Sequence, residues 1–265
     1  MRNQDMGIAT TVLLLLTVPA AWSGPAATNL LARGVRQFRA GAGNWDYPTL
    51  TNAVSLFQRA CRAEPDSYAA HYWQGAAQFH ALLHRLGWED AVRDRNEEAR
   101  IMEHAVGVLE RALALRKDDP ETHALLSTLH GMRIAHAPHT ALWRGRKVLY
   151  HRKLALRADP DNPRTHYLLG MSHFHAPAIL GGKKEALAFL RKAERLFEAE
   201  QAESASPLTP VWGYAHCLAF IGEAYRDRGN REEAEAYYRK ALAVNPEHRM
   251  AKEGLQECLR SKADK

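Results

Sequence analysis

The side chains most capable of chemistry in this sequence are its fourteen histidines. His80 and His84 stand four residues apart, so on a helix both imidazoles share one face, as paired metal ligands do. His123 and His130 have the same spacing as His166 and His173, and neighbouring helices in register would bring those four rings into one layer. A metal or haem site could be assembled from such a layer. Against it, no H-E-x-x-H or E-x-x-H pattern accompanies the histidines. The competing reading is that they are hydrogen-bonded structural side chains. No motif calls for a cofactor.

Other reactive types are sparse. Cys61, Cys217 and Cys258 have no C-x-x-C spacing, and each falls within an apolar helical pattern, which suits buried small hydrophobes. There is no nucleophile elbow, phosphate loop or paired-carboxylate constellation, so the chain reads as non-enzymatic. Between Glu121 and Ala158 the only acid is Glu121, against Arg133, Arg144, Arg146, Lys147, Arg152, Lys153 and Arg157. Arg144, Arg146 and Lys147 form the densest part, a candidate anion patch. Its alternative is a solvated helix face. Nucleic-acid binding is disfavoured, because only Trp143 and Tyr150 are interleaved with these charges as stacking aromatics.

These residues must be positioned by helices. From Ala27 onward apolar residues recur at three- and four-residue spacing, broken by Pro, Gly and Asp-Pro signals, with no alternating strand pattern. Residues 1–23 differ. Arg2 precedes an apolar run from Ile8 to Val18 and then small residues, which matches a cleavable signal peptide and a periplasmic or secreted protein. The run is short for a bilayer span, and membrane association is expected only if that segment stays uncleaved.

The helical pattern repeats. Ile221, Gly222, Tyr225, Ala234, Tyr238, Ala241 and Pro246 fall at the spacings of the tetratricopeptide consensus, with Gly229 and Asn230 at the turn. The small residue of the first helix recurs as Gly75, Ser127, Gly170 and Gly222, at intervals of 52, 43 and 52. The family period is about 34, so the copies carry insertions. This pattern resembles the tetratricopeptide-repeat (TPR) family over nearly the whole of residues 27–265. The segments from Phe174 to Gly182 and from Pro210 to Gly213 are also similar to those of uncharacterised exported bacterial TPR proteins.

The resemblance implies an all-α, right-handed solenoid of about five helical hairpins. They occupy approximately residues 29–66, 67–118, 119–161, 162–204 and 209–246, with a capping helix over 247–261. Gly34 or Gly41 serves as the small residue of the first pair. One long second helix is expected between Gly87 and Arg116, and an irregular connection over Ala135 to Arg146.

Carrying the family's inner-face positions onto this chain gives Tyr72, Phe79, His80, Met132, Arg164, Tyr167, Met171, Phe174, His175 and His216 as a partner-binding surface. If accessible, its aromatic and Met side chains suit a protein or peptide partner. Alternatively, the insertions fill the groove. An exported adaptor is therefore the leading expectation. A periplasmic small-molecule carrier accessory to transport is the second, and metal or haem handling the third.

Overall fold

The computed structural model describes residues 25–87, 94–176, 182–200 and 208–263. Residues 1–23, expected to be a signal peptide, and most of the Gly-Gly segment after Phe174 lie outside the described residues. Among the described residues the fold is all-helical, a TPR-like solenoid of antiparallel pairs. The pairs are α1 (Pro25–Asn44) with α2 (Tyr47–Ala63), α3 (Tyr68–Leu86) with α4 (Arg95–Leu115), and α5 (Pro120–His136) with α6 (Ala141–Ala158). They continue as α7 (Pro163–Phe174) with α8 (Gly182–Glu200) and α9 (Tyr214–Arg226) with α10 (Arg231–Val244), and α11 (Arg249–Ala263) packs on the last pair.

Local chemistry sets the helix starts. Asp46, Asp119 and Asn162 each accept a hydrogen bond from a backbone N–H of the first turn, and each precedes a helix with proline in its opening residues. The cap satisfies one orphan donor, and the proline removes another. Asp94 caps α4 in the same way, accepting from the N–H groups of Asn96 and Glu97. The second helix of that pair therefore begins at Arg95 rather than running unbroken from Gly87, because Asp94 is a start signal the periodicity did not weigh. The expected irregular stretch over Ala135 to Arg146 is likewise shorter. It is confined to Ala137 and a single 3-10 turn, Pro138–Thr140, and Trp143, Arg144 and Arg146 lie on α6.

Small residues set the approach of the paired helices. A Cβ at Gly75 would come within 2.4 Å of Leu109, and one at Gly222 within 2.8 Å of the Tyr238 ring. Gly254 of α11 meets the same ring, so Tyr238 is held between α9 and α11. The third pair has Ser127 at this position, and its hydroxyl donates to the Val148 carbonyl at 3.0 Å. A polar tie thus replaces the glycine contact there, which accounts for the weaker consensus in that copy.

The array also closes on itself. The Asn245 amide donates to the Gly43 carbonyl at 2.7 Å, and the Arg39 guanidinium to the Thr209 carbonyl at 3.3 Å. The first pair therefore touches the last. This closure decides what the inner face can do.

Candidate functional site

The inner layer is built by α3, α5, α7 and α9. Of the ten residues expected to bind a partner, Tyr72, Phe79, His80, Arg164, Tyr167, Met171 and His216 are buried. They face one another across the closed array instead of lining an open groove. Trp212, in the turn before α9, is the central plug. Its ring meets His80 edge-on at 5.0 Å and Tyr167 at 6.3 Å, while its N–H donates to the Tyr72 hydroxyl at 3.2 Å. On the other side of His80 lies Phe38 of α1 at 5.0 Å, with His216 at 6.0 Å. Met132 and Phe174 are half-buried and His175 is exposed. Ser172 donates to Thr128 at 3.2 Å, which registers α7 against α5 and puts these three residues at one common end of the layer.

A charged network lies beneath Trp212. Arg164 donates through Nε to Glu121 at 2.5 Å and through both terminal nitrogens to Glu200, one of these bonds being 2.8 Å. Glu121 also accepts from the Tyr72 hydroxyl and, at 3.1 Å, from the Asn162 amide. Burial opposes the charge on Arg164, yet Glu121 and Glu200 outweigh it and hold the guanidinium above its ordinary range. Burial and Glu121 push the Tyr72 phenol well up, so it stays a neutral donor. Glu121 and Glu200 were missed in the sequence, although a signal exists. Glu121 and Arg164 each lie two residues after the caps Asp119 and Asn162, at the same position of adjacent repeats with opposite charge.

The four histidines of the expected layer separate into local packing groups, while His216 lies between His80 and His248 at 6.0 and 4.4 Å. His123 and His130 both face His151 of their own pair, at ring distances of 5.2 and 5.8 Å. His166 and His173 both stack on Phe189 of theirs. The expected layer of four imidazoles is therefore split, because these repeat positions point into a hairpin and not along the stack. His84 bonds the Trp45 carbonyl at 2.9 Å, His123 the Lys117 carbonyl at 2.9 Å and His166 the Pro160 carbonyl at 2.7 Å. Among the described residues no group of three or more His, Cys, Asp or Glu has the geometry to hold a metal ion. Burial lowers His80 to about 3, and His130, His151 and His248 each to about 4. Burial, with His248 and His80 nearby, also holds His216 well below its usual value.

The expected anion patch divides too. Arg144 is 8% exposed, and its guanidinium lies 4.0 Å from the centre of the Trp143 ring, turned away from solvent. Burial lowers its pKa. Arg146 and Lys147 are exposed, and Lys147 lies 3.8 Å from Glu110. Cys217 and Cys258 are buried, and all three cysteines are free thiols. No described helix is long and apolar enough to cross a membrane. A depression of about 380 Å³ between α1 and α2 is lined by Arg33, Arg36 and Arg59 among others, away from the inner layer.

Comparison with known proteins supports this architecture. The family of regulator of microtubule dynamics proteins 1-3 matches residues 76–263. No curated protein matches the chain. Among solved structures, the thermophilic TPR protein TTC0263 of Thermus thermophilus is 21% identical, with a TM-score of 0.62 over 88% of this chain and 99% of that one. The HusA haemophore of Porphyromonas gingivalis is 24% identical, with a TM-score of 0.61 over 78% of this chain and 96% of that one. These similarities establish the helical-repeat fold.

Proposed function

The chain belongs to the family of regulator of microtubule dynamics proteins 1-3, and on that premise we propose that it is an exported, non-catalytic helical scaffold that holds a protein or peptide partner. The family's name attaches microtubule regulation to its namesakes; what supports the reading here is the architecture of this chain. A sealed polar and aromatic interior fixes the relative placement of successive helices. An apolar edge remains open at the ends of α5 and α7, where Met132, Phe174 and His175 reach solvent. Adaptable Met and rigid aromatic side chains on a fixed frame are what a peptide contact needs. The buried inner residues act as the frame and not as the contact. Export is supported by Arg2 and the apolar run from Ile8 to Val18.

Crosslinking from the cell envelope, comparing the wild-type chain with a Met132→Ala, Phe174→Ala double variant, tests the reading. The scaffold predicts one specific protein captured by the wild type and lost by a variant with unchanged helicity. If native mass spectrometry instead shows a tightly bound small molecule and no protein is captured, the chain is a carrier, the role implied for the haemophore by its name.

A further inference from the structure

Helix α6 differs from every other second helix. Its eighteen residues carry six Arg or Lys with no acid, whereas the equally acid-free α2 carries only two Arg. Four of the seven exposed large hydrophobic residues among the described residues are on it: Leu142 (83% exposed), Trp143 (49%), Leu149 (64%) and Tyr150 (60%). At 3.6 residues per turn, Leu142, Trp143, Arg146, Leu149, Tyr150, Lys153 and Arg157 fall within about a third of the helix circumference. The opposite side, with Arg144, His151 and Ala155, is buried on α5. Unlike α2, α4 and α8, which pack closely on the next first helix, α6 barely touches α7. It stands out as a convex ridge. Arg144, stacked on the Trp143 ring from beneath, fixes the indole at the ridge's amino-terminal end.

Isolated exposed hydrophobics need no explanation, but a single acid-free stripe of them does. A peptide or amphipathic helix docks in a groove, and this surface has the opposite curvature. A fluid, flat, negatively charged surface fits it. Apolar tips would enter the boundary between headgroups and acyl chains, while the arginine and lysine stems reach up to phosphate oxygens. We infer that α6 is a peripheral membrane-docking ridge for anionic phospholipid. In it Leu142, Trp143, Leu149 and Tyr150 insert shallowly, and Arg146, Lys153 and Arg157 pair with headgroup phosphates. This contact is separate from the partner edge at Met132 and Phe174, and from any anchoring by residues 1–23.

Co-sedimentation of the full chain with phosphatidylcholine vesicles, with and without phosphatidylglycerol, tests the inference. Binding is expected only when phosphatidylglycerol is present, and it should weaken with added salt. Each basic residue near such a surface contributes about 1 kcal/mol, so Arg146→Glu, Lys153→Glu and Arg157→Glu together should reduce binding by roughly 100-fold or more. Leu149→Ser with Tyr150→Ser should reduce it without altering the salt dependence. These side chains are exposed, so the variants keep wild-type helicity. Equal binding to neutral and anionic vesicles, or wild-type binding by the charge-reversed variant, would place the membrane contact elsewhere and overturn the inference. Capture of a polyglutamate peptide by the ridge, with no vesicle binding, would overturn it in favour of an acidic protein partner.

Discussion

The inner layer and the α6 ridge are made of similar side chains put to opposite use. Tyr72, Trp212, Arg164 and His80 in the interior match Tyr150, Trp143, Arg146 and His139 on or beside α6 in type, but the first group is enclosed by a second ring of contacts and the second faces water. Enclosure makes a polar aromatic cluster into architecture. Buried donors then depend on internal acceptors: Arg164 finds two carboxylates and Trp212 the Tyr72 hydroxyl, whereas neither ring nitrogen of His80 has a hydrogen-bond partner and that imidazole is held by aromatic packing alone. On the ridge, water meets those needs, so the same residue types remain available to a partner. Residue type alone therefore does not mark a binding face in this solenoid; closure of the array does.

The sharpest way to break the comparison is to make one substitution in both regions. Arg164→Ala leaves Glu121 buried without its cation and should cost about 3–5 kcal/mol of unfolding free energy. The matching Arg146→Ala should change stability by less than about 0.5 kcal/mol, both read from urea denaturation. Similar costs at the two positions would mean the interior is as wet as the ridge. Trp212→Ala removes the plug between α3 and α7 and should cost about 3 kcal/mol or more. It should also expose His80 and His216 to solvent, whereas Trp143→Ala should leave both protected.

Acid should act on the interior alone. A buried imidazole whose pKa is depressed on folding binds fewer protons in the native chain than in the unfolded one. Its stabilising contribution is therefore complete above its ordinary value of 6.5 and is lost as pH falls toward about 3 for His80 and about 4 for His248. Lowering the pH from 7 to 5 should cost about 2 kcal/mol through His80 alone, and His80→Gln should flatten that part of the stability profile. An unchanged slope in the variant would mean that His80 is not enclosed. The smallest effect is expected on the ridge, where Leu149→Ser with Tyr150→Ser should leave the melting temperature essentially unchanged.

Much of the fold was legible because its determinants are local. The three- and four-residue apolar spacing identifies the helices, and Gly75, Gly170 and Gly222 mark close approach within a pair, each meeting a large side chain of its partner helix. Asp94 was legible in principle, being a cap like Asp46 and Asp119. The site was less so. Whether Tyr72 and His80 line a groove or a core depends on Trp212 and on Asn245 reaching Gly43, contacts spanning 140 and 202 residues that no repeat register encodes. The histidine layer failed for a simpler reason. Equal spacing in two repeats gives equal orientation, and here that orientation is toward Phe189 and His151 within each hairpin. The basic run was visible from composition, but only the packing of α6 separates the enclosed Arg144 from the exposed Arg146.

The most direct test of closure uses the histidines as their own probes. Diethyl pyrocarbonate modification of the native chain at neutral pH, read residue by residue by mass spectrometry, should label the exposed His104 and His139 quickly. His80, His216 and His248 should stay unmodified until the protein unfolds. Rapid labelling of His80 and His216 in the folded chain would contradict the account, showing that the inner face is open and restoring the groove as the site of contact.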